Sequence, residues 1–166
     1  EPSQQLCRLQ SAGLLSLVVC ANYDFTDTPV EGTVKPYIII KRNGLRIGVF
    51  GICPQLEGLV DATKCEGVKY LDPIKTANDV AHMLKHKEKC DLVICLSHLG
   101  WIMNQNVDDH KMIAANHDID IVLGGHSHTF FQTLQYIENA DGKKIPDDQN
   151  GKSAIFVGKL QVKLAK

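Results

Sequence analysis

The sequence predicts an α/β fold, and the order of its apolar and helical patterns carries the prediction. Apolar, strand-like runs alternate with helical patterns through the middle of the chain. Strand, helix, strand, helix, strand in that order implies parallel neighbours in one sheet. The chain has 166 residues, 44% apolar and 22% charged, with a formal net charge of −1. That is one domain, or one lobe of a larger protein, and a chain of this size buries roughly 70% of its unfolded surface.

The elements follow in order. Residues 4–11 read as a short helix and Leu15–Cys20 as a buried strand. Asn22–Thr33 is polar and turn-rich, hence a loop. Pro36–Lys41 and Leu45–Phe50 are β-rich runs joined by Arg42-Asn43-Gly44, and Asn-Gly supplies the positive φ angles that a tight hairpin turn needs. Pro54 and Gly58 break the chain into another loop. Asp72-Pro73 opens a helix, with Asp as N-cap and Pro at the first helical position. Its apolar stripe is Ile74, Ala77, Val80, Ala81 and Leu84, and Lys85, Lys87 and Lys89 suit its C-terminal end.

Asp91–Ser97 is a buried strand, Asp108–Asn116 a second helix, and Asp120–Leu123 a further strand. Beyond Gly125 the chain turns β-like. Lys143–Lys152 reads as a polar loop in which Asp147 and Asp148 are solvated. Ile155–Leu164 shows the alternation of a closing strand.

Composition excludes several classes. The charge balance lacks the basic excess of a dedicated nucleic-acid binder. No apolar run reaches the roughly 18 residues of a membrane span. Ala12–Ala21 has the length of a secretory apolar region, but its basic flank is thin and a buried strand accounts for it. Cysteines stand at 7, 20, 53, 65, 90 and 95 without CxxC spacing. They read as free thiols packed as small hydrophobes, leaning toward a reducing compartment.

The chemistry concentrates where two apolar strands end in histidine. One delivers Leu96-Ser97-His98-Leu99-Gly100, the other Leu123-Gly124-Gly125-His126-Ser127-His128-Thr129. In open α/β sheets ligands gather beyond the carboxyl ends of strands. Three imidazoles brought to one edge form a binding set for Zn²⁺, Mn²⁺ or Fe. A single strand-end histidine is ordinarily just a satisfied polar residue, but two separate deliveries favour metal ligation at His98, His126 and His128. His82 and His86 share a helical face but lack the Glu of His-Glu-x-x-His, so they read as solvated. His110 and His117 read as surface residues, and Asp118 and Asp120 as strand-start residues. No Gly-x-Ser-x-Gly elbow, Walker loop or dinucleotide fingerprint is present, and no carboxylates form a recognisable acid–base pair.

The Ser-His and Gly-Gly-His-Ser-His runs resemble the calcineurin-like metallophosphoesterase domain of the 5′-nucleotidase family. Val19-Cys20-Ala21-Asn22 is similar to that family's Ser-Ala-Asn strand end, and Ile47-Gly48-Val49-Phe50-Gly51 to its hairpin. The resemblance implies an α/β/β/α sandwich and a centre of two divalent metal ions (Zn, Mn or similar). By that resemblance His98 and His126 bind one ion and His128 the other. Two cations roughly 3.5–4 Å apart clamp a phosphoryl group.

The family's Asp-x-His, Gly-Asp and Asn-His-Glu motifs, which supply the bridging carboxylate and a catalytic His, are not among the residues before Asn22. Residues 1–166 therefore read as a partial metallophosphoesterase domain, incomplete at its N-terminal side. On that reading the chain is expected to carry no catalytic residue of its own, to hold metal only partially or weakly, and to be inactive when isolated. In the intact protein the resemblance implies hydrolysis of nucleotide phosphate monoesters. Related cyclic-nucleotide or nucleotide-sugar hydrolysis, or a non-catalytic metal-binding or assembly module, are the alternatives. An exposed face left by the missing half would permit self-association. Family members are typically periplasmic, secreted or surface-anchored.

Overall fold

The computed structural model describes residues 18–104 and 106–164. The helix expected at 4–11 lies outside them, as do the first residues of the strand expected over 15–20. Within the described part of that strand, Val19 makes one parallel bridge to Lys35 and the Cys20 N–H donates to the Lys35 carbonyl at 2.9 Å.

Among the described residues, eight strands and two α-helices follow. The expected loop after Asn22 opens with a two-residue strand, β1 (Tyr23–Asp24). The hairpin forms as the sequence predicts, from β2 (Tyr37–Arg42) and β3 (Leu45–Ile52). Asn43 and Gly44 take φ of 52° and 78° in its turn, the left-handed values that Asn and Gly tolerate best. A 3₁₀ turn (Ala62–Lys64) precedes β4 (Lys69–Tyr70), which pairs antiparallel with β1.

Helix α1 (Pro73–His82) begins at its expected cap: Asp72 Oδ1 accepts from the Lys75 N–H at 2.8 Å. A cap of this kind contributes about 1 kcal/mol. The helix continues into a π turn over Met83–Lys87. Then come β5 (Leu92–Ser97), α2 (Asp109–Ala114, capped by Asp108) and β6 (Ile121–Leu123). The last elements are β7 (Gln135–Glu138) and β8 (Lys144–Asp148).

The main sheet has the order β2-β3-β5-β6-β8-β7. Its four inner strands run parallel, and β2 and β7 flank them antiparallel. Phe50, Ile52, Val93, Cys95 and Val122 pack against Ala77, Ala81 and Leu84 of the α1 region and Met112 and Ile113 of α2. These residues make the core, with both helices over one face of the sheet. On the opposite face Leu96 and Leu123 are register partners, each 38% exposed. An open apolar strip beside a covered one is what one side of a two-sheet sandwich presents.

Three expectations need correction. Lys143–Lys152 is not a solvated loop, because it contains β8, where burial alternates along Lys144–Asp148 and Asp147 is fully buried. Ile155–Leu164 is exposed and forms no strand among the described residues, since it finds no ladder partner. His110 is not a free surface residue. Its ring lies edge-on to Trp101 at 4.2 Å, with Nε2 buried and unpartnered. The cysteine reading agrees with the structure where it is described: Cys20, Cys53, Cys65, Cys90 and Cys95 are free, and Cys20, Cys90 and Cys95 are buried. No described helix is long and apolar enough to cross a membrane.

Candidate metal centre

β5 and β6 are adjacent and parallel, with Leu96 opposite Leu123. Their carboxyl ends therefore release the two histidine-bearing loops side by side. The His98 N–H donates to the Ile52 carbonyl at 2.8 Å, which fixes the first loop to β3. His98 and His126 stand with ring centroids 5.1 Å apart, at an interplanar angle of 65°. Gly125 makes this approach feasible, since a Cβ there would lie 3.1 Å from His98 Nδ1.

His126 and His128 have φ of 71° and 55°. Left-handed backbone at non-glycine residues is uncommon and concentrates at functional sites. Burial, and then the neighbouring His126 and His128 imidazoles, hold the pKa of His98 below the ordinary histidine value.

A polar network beneath the loops positions them. The Ser97 hydroxyl donates to Asp109 Oδ1. Gln149 Nε2 donates to Asp109 Oδ2 at 3.3 Å, and the Ser127 hydroxyl donates to Gln149 Oε1 at 3.0 Å. Ser127 Oγ also accepts from the Trp101 N–H at 3.0 Å. Both loops thus hang on Asp109 and Gln149, which are buried. Gly124 leaves the space for that pair, because a Cβ there would come within 2.7 Å of Asp109 Oδ2 and 2.8 Å of Gln149 Nε2. Burial pushes Asp109 up to about 7 against the lowering effect of its Ser97 and Gln149 bonds. Neither Asp109 nor Gln149 was legible as a site residue. The one available signal was an acidic residue in the first turn of a helix, which is commonplace.

A cleft of about 510 Å³ opens beside His126, lined also by Pro54, Tyr70, Asp72, Leu99 and Met103. The structure brings His98 and His126 together and places His128 next along the same loop. Among the described residues, however, the group whose ligand atoms all lie within 4.8 Å of one another is His82, His86 and Asp118. His98, His126 and His128 are not drawn that close, and among the described residues no carboxylate completes a group with them within that distance.

No protein-family model matches the chain. Comparison with known proteins and structures does find relatives. The chain is 31% identical over 129 residues to an apyrase of Tabanus yao, covering 76% of this chain and 22% of that protein. It superposes on a 5′-nucleotidase precursor from Thermus thermophilus with a TM-score of 0.68 and 25% identity, covering 83% of this chain and 29% of that one. It also superposes on the calcineurin-like phosphoesterase YfkN of Bacillus subtilis, with a TM-score of 0.57 and 25% identity over 69% of this chain and 38% of that one.

A parallel sheet releasing paired histidine loops, together with these likenesses, defines part of a calcineurin-like metallophosphoesterase domain. Within that class the chain belongs to the 5′-nucleotidase family. It spans 22% of the length of each of the first two curated relatives it matches.

Proposed function

We propose that this chain contributes the strand-end histidines to a two-metal centre that hydrolyses phosphate monoesters of nucleotides in the whole protein. The observation that supports this reading most is the 5.1 Å approach of His98 and His126 on loops released by neighbouring parallel strands. The donors suit the group, because neutral imidazoles are ligands for Zn²⁺ and Mn²⁺. In this reading His98 and His126 hold one ion and His128 the other. Bound divalent ions offset the charge that develops on a phosphoryl group in transfer.

The chain's own residues have separate roles. Asp109 and Gln149 fix the two loops, Gly125 gives His98 its room, and the cleft beside His126 offers space for a phosphate ester. With three imidazoles and no joining carboxylate among the described residues, the coordination is mostly unfilled by protein. The isolated chain therefore binds metal weakly and turns over little or no 5′-nucleotide.

The test pairs activity with a site-specific readout. Purified chain and His126→Ala are assayed on a 5′-nucleotide with added Mn²⁺ or Zn²⁺, and Mn²⁺ broadening of the histidine ring NMR signals is followed. The expected result is background turnover in both proteins, with broadening at His98 and His128 that weakens at least tenfold in the variant. Turnover lost on His126→Ala would overturn the inactivity of the isolated chain. Broadening unchanged in the variant would overturn the ligand assignment.

A further inference from the structure

A second constellation lies at the other edge of the sheet. His82 closes α1 and His86 sits in the π turn that follows. Their rings are 4.2 Å apart, centroid to centroid. Both face one carboxylate: His82 Nδ1 lies 3.0 Å from Asp118 Oδ2, and His86 Nε2 lies 3.0 Å from Asp118 Oδ1. Asp118 precedes β6, whereas His98 and His126 follow β5 and β6. The two groups of histidines therefore stand at opposite ends of the same strands.

We propose that His82, His86 and Asp118 form a separate site for a single divalent transition ion of the zinc class. Four arguments lead there. The donor chemistry is two imidazoles and one carboxylate, which selects zinc-like ions over the all-oxygen sites of Ca²⁺ or Mg²⁺. The spacing is right: a tetrahedral ion with bonds of about 2.0–2.1 Å keeps its donor atoms about 3.3–3.4 Å apart. The donor atoms here all lie within 4.8 Å of one another, with each imidazole nitrogen 3.0 Å from an oxygen of the one carboxylate.

The third argument is that the carboxylate is held in place. The Asp118 N–H donates to Asn116 Oδ1 at 2.9 Å, and Asn116 Nδ2 donates to Asn78 Oδ1 on α1 at 3.0 Å. Asn116 is buried, so Asp118 is tied by its backbone to the helix that carries His82. The fourth is that the change from α to π geometry begins between the two histidines, and π turns recur at functional sites. An open hollow surrounds the group, lined also by His117 and Lys87, so solvent reaches it and water can take the fourth position. His117 itself is held by Asp141 at 2.9 Å. The ion would tie the end of α1 to the connection between α2 and β6.

The experiment is a Zn²⁺ titration of the full 166-residue chain by calorimetry, with Co²⁺ absorption as a report of tetrahedral coordination. Three proteins are compared with the unmodified chain: His82→Ala/His86→Ala, Asp118→Asn and His126→Ala/His128→Ala. The expected result is one site lost, or weakened at least tenfold, in the first two and retained in the third. Asp118→Asn preserves size and a hydrogen-bonding partner, so its loss of binding separates ligation from folding, and circular dichroism verifies the fold. Equal affinity and stoichiometry in His82→Ala/His86→Ala would overturn the proposal. So would absence of any Zn²⁺ binding by the unmodified chain, or loss only in His126→Ala/His128→Ala. Loss only in His126→Ala/His128→Ala would leave the strand-end centre standing, and equal binding in His82→Ala/His86→Ala says nothing against it. Absence of all binding overturns this site, and Mn²⁺ broadening at His98 and His128 then decides the strand-end reading separately.

Discussion

The Ser127 hydroxyl, placed between His126 and His128, donates to Gln149 Oε1 at 3.0 Å. Through Gln149 Nε2 the same side chain reaches Asp109, which also holds Ser97 beside His98. Gln149→Ala removes both contacts at a buried position. Leaving buried polar partners unmade costs roughly 1–3 kcal/mol. Urea unfolding should show a loss of that size, and Mn²⁺ broadening at His126 should weaken with it.

Asp147 predicts a pH effect. Both of its carboxyl oxygens are buried without a partner. Burial, and then the charges of Asp109 and Asp148, push its pKa from 3.8 up to about 8. The folded state therefore keeps a proton that the unfolded state releases near 3.8. Its contribution to stability is full below that value, falls as pH rises toward about 8, and is constant above it. Asp109, raised to about 7, adds in the same direction. Asp147→Asn should flatten the fall, so that urea midpoints of variant and parent diverge between pH 5 and pH 8 in the variant's favour. Equal divergence at both pH values would refute the assignment.

His126 holds a left-handed backbone that glycine adopts without strain. His126→Gly relieves a left-handed strain of about 1–3 kcal/mol, partly offset by the larger unfolded-state entropy of glycine, so it should raise stability while removing the imidazole proposed as a ligand. His126→Ala should abolish ligation with no such gain. Thermal melts of the two variants in the absence of metal make the comparison.

Gly125→Ala tests the approach of the two loops. The new methyl would sit 3.1 Å from His98 Nδ1, tight enough to displace the ring and leave the backbone fold in place. The expected outcome is an unchanged circular dichroism spectrum with a shifted His98 ring signal and weaker Mn²⁺ broadening.

The parts of the fold that local chemistry decides were legible in the sequence. Asn43-Gly44 defines the hairpin, Asp72-Pro73 the start of α1, and the apolar runs before His98 and His126 the inner strands. What escaped was decided by tertiary contact. β8 reads Lys-Ile-Pro-Asp-Asp, and nothing local shows that Asp147 faces the core while its neighbours face out. Ile155–Leu164 alternates like a strand, but a ladder needs a partner that an alternating pattern does not supply. His82 and His86 are exposed, as their face predicts, yet their convergence depends on Asp118, which the chain reaches only after β5 and α2. His98 and His126 come to the same end of the sheet because β5 and β6 are parallel neighbours and strand direction alone carries them there.

Asp109 sits in the first turn of α2, and its N–H donates to the Gly100 carbonyl at 2.8 Å. The helix, the 97–101 loop and the 126–129 loop are thereby fastened at one point. They should open as a single cooperative unit, with backbone amides in all three exchanging hydrogen at a common rate under native conditions. The two histidine-bearing loops then cannot loosen one at a time: whatever frees α2 from the sheet releases both.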